Sequence, residues 1–357
     1  MSRWTLPPLS LGEFAPEFAA PTRANAEFHA STLAGRYVLL GFVPADGEAE
    51  ARALADLQAV RRRMDDRHAC AFLISPRASF DAVPPDDTPG VRWFLDSDGA
   101  VRRLYSRETG WLLLDPALRV MASAPLDAAD DLFAQVAALP PPGQHAGRDL
   151  VAPVLIVPRV FSPEFCRTLM DYYDTQGGQL SGVMRDVDGK TVGVLDSMKR
   201  RRDVQVVEPT LKAGILRALE RQLAPMIERT FHFKATRLER YLVACYDAEE
   251  GGFFRPHRDN QSFGTAHRKF AVSINLNSEE FEGGDLRFPE FGPRTYRPPS
   301  GGAVVFCCSL MHEATPVTKG RRYAVLPFLY DAAGDEIRMR NLHKLERGPE
   351  QEAATGG

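Results

Sequence analysis

The sequence predicts two domains, an α/β domain followed by a mainly-β domain with flanking helices, and three observations carry that expectation. A strand–helix–strand unit occupies residues 35–75, a succession of short strands and glycine turns fills residues 239–330, and the stretch ALPPPGQHAGRDLVAP at 138–153 separates two apolar blocks. Three consecutive prolines next to a polar, glycine-containing run suit a linker, because neither helix nor sheet propagates through them. The expected boundaries are a first domain over 1–140, a linker over 141–152, a second domain over 153–332 and a tail over 333–357. A chain of 357 residues with 44% apolar content and net charge −3 has room for two cores.

The elements of the first domain follow in order. GRYVLLGFV (35–43) is a continuous apolar run and reads as a buried strand. Glu48–Arg63 places Ala53, Leu54, Leu57 and Val60 on one side of a helix, and ACAFLIS (69–75) is a second buried strand. VRWFLDSDGAVRRLYS and GWLLLDPALRVMASAP read as two further strand segments, each turning at Asp98-Gly99 or Asp115-Pro116, before a closing helix from about Leu126 to Leu139.

The second domain opens with a strand in APVLIVPRV and a helix begun by Ser162 as N-cap and Pro163 at the first helical position. Residues 177–202 hold several glycines and mixed charge. After them come an apolar run from Tyr241 to Tyr246, a turn at Asp247, Gly251 and Gly252, and an aromatic segment delivering His257 and Asp259 just past a strand end. FAVSINLN (270–277) alternates as a strand. Gly283 and Gly284 permit a tight turn, AVVFCCSLMHE is a strand whose end presents His312, and KGRRYAVLPFLY is a last strand carrying Arg322. Strand, turn and strand, with polar residues recurring at one end, is the pattern of a rolled antiparallel sheet with a site inside.

His257, Asp259 and His312 are the candidate metal ligands. Two imidazoles and one carboxylate on one face of an octahedral iron leave three positions open, which suits an oxygenase binding a cosubstrate and dioxygen together. A bare His-x-Asp is cheap in a chain with eight histidines, so the turns and strand ends around it supply the specificity. His29, His68, His145, His232, His267 and His343 have no partner at ligand spacing and read as non-ligands.

FFRPHRDN, FEGGDLRFPEFG and HEATPVTKGRRYAV stand in the order and at the separations of the iron(II)- and 2-oxoglutarate-dependent dioxygenases, and residues 151–330 resemble the prolyl 4-hydroxylase branch of that family. The resemblance implies a double-stranded β-helix (jelly roll) and hydroxylation of an unactivated C–H bond. It implies Fe(II) held by His257, Asp259 and His312, with 2-oxoglutarate and O2 as cosubstrates and ascorbate as a candidate reductant. Arg322 would receive the distal carboxylate of 2-oxoglutarate. Period-two alternation agrees, placing Arg322 with Ala324 and Leu326 toward a lumen while Arg321 points away. Tyr246 is carried over as a cosubstrate hydrogen-bonding residue, and Asn275, a lone amide in an apolar strand, as a further candidate. Related enzymes act on peptidyl proline, free amino acids and other small molecules, so the expected partner is a small-molecule or peptide substrate. A mobile substrate-covering loop is expected at 177–202, where the basic run Lys199–Arg202 could also steer an acidic substrate.

With the opening GEFAPEF, residues 10–140 resemble a peroxiredoxin, a thioredoxin-like fold. A peroxidatic cysteine belongs at the start of the helix after Pro44, where the helix N-terminus favours thiolate, yet residues 45–52 (ADGEAEAR) contain none. Cys70 lies inside an apolar strand and reads as inert. The first domain is therefore expected to be non-catalytic and to serve stability or a protein partner. A thiol peroxidase with an appended barrel and a non-catalytic binding barrel are the alternatives, disfavoured by the missing thiol and by the intact ligand set.

Charge excludes a nucleic-acid binder: net −5 to residue 140 and +2 beyond it leave neither half basic. The start MSRWTLPPLS lacks a leader's apolar stretch, and no run is long enough for a membrane span. Five cysteines without zinc or C-x-x-C spacing suit a reducing cytoplasm.

Overall fold

The computed structural model describes residues 9–345. The chain divides into two compact units, one reaching to Ala152 and including Pro289–Pro293, the other comprising Pro153–Phe288 and the chain from Arg294 onward.

The first unit is built on a five-stranded sheet in the order Val91–Leu95, Ala69–Ser75, Tyr37–Phe42, Gly110–Leu114, Val120–Ala124. The first three strands are parallel and the last two antiparallel. The three strands from Ala69–Ser75 through Gly110–Leu114 are buried on both faces, which explains why they read as unbroken apolar runs rather than alternating ones. Helices Gly47–Val60 and Asp130–Ala137 cover one face through Ala53, Leu57, Val60, Leu132, Phe133 and Val136. Helix Ala100–Tyr105 packs Val101 and Tyr105 on the other. A parallel βαβ unit, an antiparallel hairpin and a closing helix on a central first strand make a thioredoxin-like arrangement.

The segment VRWFLDSDGAVRRLYS differs from expectation: only its first part is a strand, and the remainder is helix. Asp96, 2% exposed, accepts hydrogen bonds from the amides of Val101 and Arg102, and Gly99 takes φ +69°, so the turn launches a helix instead of a hairpin. Arg102 then joins the ends of neighbouring strands. Its guanidinium reaches the carbonyls of Val43 and Ile74 at 2.7 and 2.8 Å and the Asp96 carboxylate at 3.0 Å.

The second unit opens with strand Leu155–Val157, paired antiparallel to Ala303–Cys307, followed by helix Pro163–Gln176, whose N-cap Ser162 accepts from the amide of Phe165. Helices Pro209–Ala218 and Ala224–Phe231, continuous through a π turn, pack Ile215, Leu219, Leu223 and Ile227 against the same core. Two sheets form the body. The larger runs Arg237–Glu239, Phe328–Tyr330, Phe270–Asn275, Arg321–Val325, Leu242–Asp247, Arg202–Gln205, Gln179–Leu180, with Ala303–Cys307 paired to Phe270–Asn275. The smaller runs Lys199–Arg200, Phe253–His257, His312–Ala314, Leu286–Arg287, Thr295–Tyr296. All these pairings are antiparallel. The chain passes repeatedly from one sheet to the other, which is the winding of a double-stranded β-helix. At Gly283, φ +69° and a Pro316 carbonyl that would lie 2.1 Å from any Cβ leave room for glycine alone.

Two expected single strands are split. AVVFCCSLMHE forms Ala303–Cys307 in the larger sheet and His312–Ala314 in the smaller, because a turn closed by the Leu310 amide on the Cys307 carbonyl carries the chain across. KGRRYAVLPFLY is interrupted at Pro327 into Arg321–Val325 and Phe328–Tyr330. Of the tail expected at 333–357, the portion described is helix Ala332–Asn341 and one further turn, and 346–357 lie outside the described residues.

A buried ion cluster fixes one end of the larger sheet. Glu239 accepts from Arg268 Nη2 and pairs with His267 Nε2, both at 2.5 Å, while the Arg268 guanidinium lies 3.9 Å from the centre of the Phe328 ring. Burial alone would push the Glu239 carboxyl up, but the Arg268 charge and the two hydrogen bonds hold it well below the usual carboxylate range. A group whose folded pKa is depressed contributes stability above its unfolded pKa of about 4.3 and loses it as pH falls toward the folded value. Glu239→Gln is therefore expected to cost about 3 kcal/mol at neutral pH and to make the thermal midpoint less sensitive to acidification between about pH 5 and pH 3. Parallel melting curves for the two proteins would show equal acid sensitivity if the cluster contributed nothing.

Candidate functional site

Sheet pairing brings the candidate ligands together. His257 ends its strand and lies opposite His312 in register, while Asp259, two residues on, is returned by its amide's hydrogen bond to the Cys308 carbonyl. One donor atom from each of His257, Asp259 and His312 lies within 4.8 Å of the others. Asp259 faces both imidazoles, Oδ1 at 3.5 Å from His257 Nε2 and Oδ2 at 3.2 Å from His312 Nε2. No other group of three such residues converges among the described residues.

The donor set fits a divalent transition metal. His257 Nδ1 lies 2.8 Å from the Arg255 carbonyl and His312 Nδ1 3.0 Å from the Leu310 carbonyl. A carbonyl can only accept, so each Nδ1 carries the proton and each Nε2 turns a lone pair toward the shared centre. Burial, then the neighbouring His312, lowers the His257 pKa to about 4, which keeps this ring neutral at physiological pH. Burial works against ionisation of Asp259, yet the facing imidazoles, His312 foremost, hold its carboxyl well below the ordinary value. Aromatic rings shield the centre: Phe254 stacks on His257 at 3.5 Å, and Phe306 and Phe288 lie 4.4 and 6.2 Å from His312.

Arg322 is 2% exposed, whereas its neighbour Arg321 points outward and pairs with Asp247. Arg322 Nε donates to Asn275 Oδ1 at 3.1 Å and Nη2 to Ser273 Oγ at 2.7 Å. Its Nη1 is buried and finds no acceptor among the described residues. An unsatisfied guanidinium donor in a buried position costs free energy unless an acceptor arrives, so this atom fits a ligand carboxylate. The Tyr246 ring lies 5.2 Å from the Arg322 guanidinium, on the strand paired with that of Arg322.

Tyr246 Oη accepts from Arg201 Nη1 at 3.3 Å, and Arg201 is in turn clamped by Asp203. Asn275 occupies both ends of its amide, accepting from Arg322 and donating to Ser278 Oγ at 3.0 Å, so it acts on a ligand only by orienting Arg322. Ser273 and Arg201 are missing from the sequence-based set. Ser273 was detectable, since it stands two residues before Asn275 on the same strand face; Arg201 was hidden among four adjacent basic residues that the sequence could not tell apart. Residues 183–194 form a hairpin, Val183–Val187 with Lys190–Val194, anchored where Asp186 accepts from the Phe263 amide at 2.9 Å and Thr191 Oγ1 from the Gly264 amide at 2.8 Å.

In the first unit, the helix after Pro44 begins with Asp46 as its N-cap and has no thiol there. Cys70 is fully buried, and burial pushes its thiol up to about 12. Treatment of the full chain with peroxide is expected to leave Cys70 unmodified by mass spectrometry; Cys70-dependent peroxide consumption would contradict a structural role. All five cysteines are free, and no described helix is long and apolar enough to cross a membrane.

The model of the 2OG-Fe(II) oxygenase superfamily matches residues 241–330, the span holding every candidate ligand. Among similar proteins are the multifunctional procollagen lysine hydroxylase and glycosyltransferase LH3 of Rattus norvegicus, 28% identical over 45% of this chain and 21% of its own length, and a PKHD-type hydroxylase of Shewanella sp. (strain MR-7), 25% identical over 54% and 84%. The chain thus spans about a fifth of the first of these relatives. Similar solved structures include a prolyl-4-hydroxylase of Pseudomonas putida, with 19% identity, 50% and 93% coverage and a TM-score of 0.39. The thioredoxin domain of a thiol-disulfide oxidoreductase of Bacteroides vulgatus has 20% identity, 36% and 96% coverage and a TM-score of 0.31.

Proposed function

From a chain whose residues 241–330 carry a 2OG-Fe(II) oxygenase domain, we infer an iron(II)- and 2-oxoglutarate-dependent dioxygenase that hydroxylates an unactivated C–H bond of a peptidyl proline or another amino-acid-like substrate. The observation that carries this reading is the convergence of His257, Asp259 and His312, combined with the buried, unsatisfied Nη1 of Arg322. His257, Asp259 and His312 would hold Fe(II). The metal with bound 2-oxoglutarate supplies the oxidising power, drawn from O2 and the decarboxylation of the keto acid to succinate and CO2.

The residues of the chain position and protect. Arg322 offers the distal carboxylate of 2-oxoglutarate a planar donor edge, and Ser273 and Asn275 fix the plane of that edge by occupying Nη2 and Nε. Tyr246, oriented by Arg201, presents its ring and hydroxyl beside Arg322. Phe254, Phe288 and Phe306 limit water around the imidazoles, which strengthens the electrostatics within. The substrate class is read from the hydroxylases among the similar proteins. The thioredoxin-like unit is read as a stabilising or docking module, and the free cysteines as residence in a reducing cytoplasm.

Anaerobic addition of Fe(II) and 2-oxoglutarate to the full chain should give a visible charge-transfer band, and admission of O2 should release succinate, faster with a suitable peptide or amino acid. A protein that develops no band and releases no succinate would end the oxygenase reading.

A further inference from the structure

Three cationic side chains stand around Tyr246 and Phe254, and each meets its charge differently. Arg322 has hydrogen-bond partners and one vacant donor, suited to the cosubstrate. Arg201 is neutralised, with Nε and Nη2 on the two Asp203 oxygens at 2.7 and 2.6 Å. Lys199 has no such relief. Its Nζ donates to Ser181 Oγ at 2.6 Å and to the Gly182 carbonyl at 2.8 Å, both neutral acceptors, and no carboxylate lies within ion-pair distance among the described residues. An ammonium has three donors, so one remains for a ligand.

The position of Lys199 relates this vacancy to the reacting centre. Lys199 lies opposite Phe254 in the antiparallel register, and its Nζ stands 5.1 Å from the centre of that ring. The same ring stacks on His257, so a single aromatic side chain separates the ammonium from a candidate metal ligand. Lys199 is half-buried. Burial, then the nearby Arg201 charge, presses its ammonium well below the ordinary lysine value, outweighing the opposing pull of Asp203 and Asp259, neither of which pairs with it directly. An arriving anion would relieve it.

The geometry points to Lys199 as the residue that receives a carboxylate of the primary substrate, so that this enzyme acts on an acid in preference to its neutral counterpart. The inference rests on the oxygenase reading above. It assigns the three cations separate tasks: Arg322 for the cosubstrate, Arg201 for Tyr246 and Lys199 for the substrate.

The test uses the full chain loaded anaerobically with Fe(II) and saturating 2-oxoglutarate, titrated calorimetrically with N-acetyl-L-proline and with its amide. A second pair, N-acetylaspartic acid α-amide and N-acetylasparagine amide, distinguishes a side-chain carboxylate from a main-chain one. In at least one pair the acid is expected to bind about tenfold or more tightly than the amide. Lys199→Met should erase that preference and Lys199→Arg should keep part of it. Equal affinities in both pairs, absence of binding by either acid, or a preference that survives in Lys199→Met would overturn the assignment. The charge-transfer band with 2-oxoglutarate separates the two readings. Its absence from the unaltered protein sinks the oxygenase reading, its loss only in both Lys199 variants moves Lys199 to the cosubstrate and overturns this proposal, and its persistence in Lys199→Met shows that the variant is folded.

Discussion

Replacing Asp259 by alanine is expected to abolish 2-oxoglutarate turnover, a fall of about 10³-fold or more, because the two remaining imidazoles lose the anionic donor they share. Both Nε2 atoms face this one carboxylate, at 3.5 and 3.2 Å, and no other carboxylate converges with them among the described residues. Activity is one readout and thermal stability another. A metal at about a hundred times its Kd stabilises the folded state by roughly 2.7 kcal/mol, so Fe(II), or Mn(II) as a redox-inert stand-in, should raise the melting temperature of the unaltered chain and leave that of Asp259→Ala in place. The variant itself should fold, since removal of this carboxylate leaves the larger sheet untouched. Full succinate release by Asp259→Ala would refute the ligand assignment.

Arg322→Ala is expected to raise the 2-oxoglutarate requirement about 10²-fold, the loss of the charge-assisted hydrogen bond that Nη1 offers a carboxylate in a water-poor site. The more informative variant is Arg322→Lys. An ammonium cannot keep Ser273, Asn275 and a carboxylate in one plane, so charge without the fork should recover only part of the loss. Chemistry at saturating cosubstrate should change far less than affinity, because Arg322 acts at the end of 2-oxoglutarate remote from the bond that breaks. If KM stayed constant and kcat collapsed, Arg322 would have to be assigned a different role.

Much of this site was legible in the residues themselves. His257, Asp259, His312 and Arg322 are few, chemically distinctive and attached to strand ends with clear glycine and proline punctuation. The inward placement of Arg322 followed from alternation alone, since successive strand residues must face opposite ways. The first unit was legible for a different reason: strands covered on both faces leave continuous apolar runs that resemble nothing else. What escaped detection depended on tertiary partners. The segment after Leu95 turned into a helix because a buried aspartate capped it. The strand carrying His312 broke in two because a turn transferred it between sheets. The helices over 209–231 were masked by a mixed sequence whose apolar side emerges only against the barrel core. Arg201 has the same explanation: among four adjacent basic residues, only the path of the backbone decides which one turns inward.

The hairpin at 183–194 has a consequence for how the centre is assembled. Its tip and far strand tie through Asp186 and Thr191 to the amides of Phe263 and Gly264, only a few residues downstream of Asp259. An outlying ribbon and the carboxylate at the heart of the barrel therefore share one short tether. The position of the ribbon and that of the segment leading away from the acid are coupled through these two hydrogen bonds.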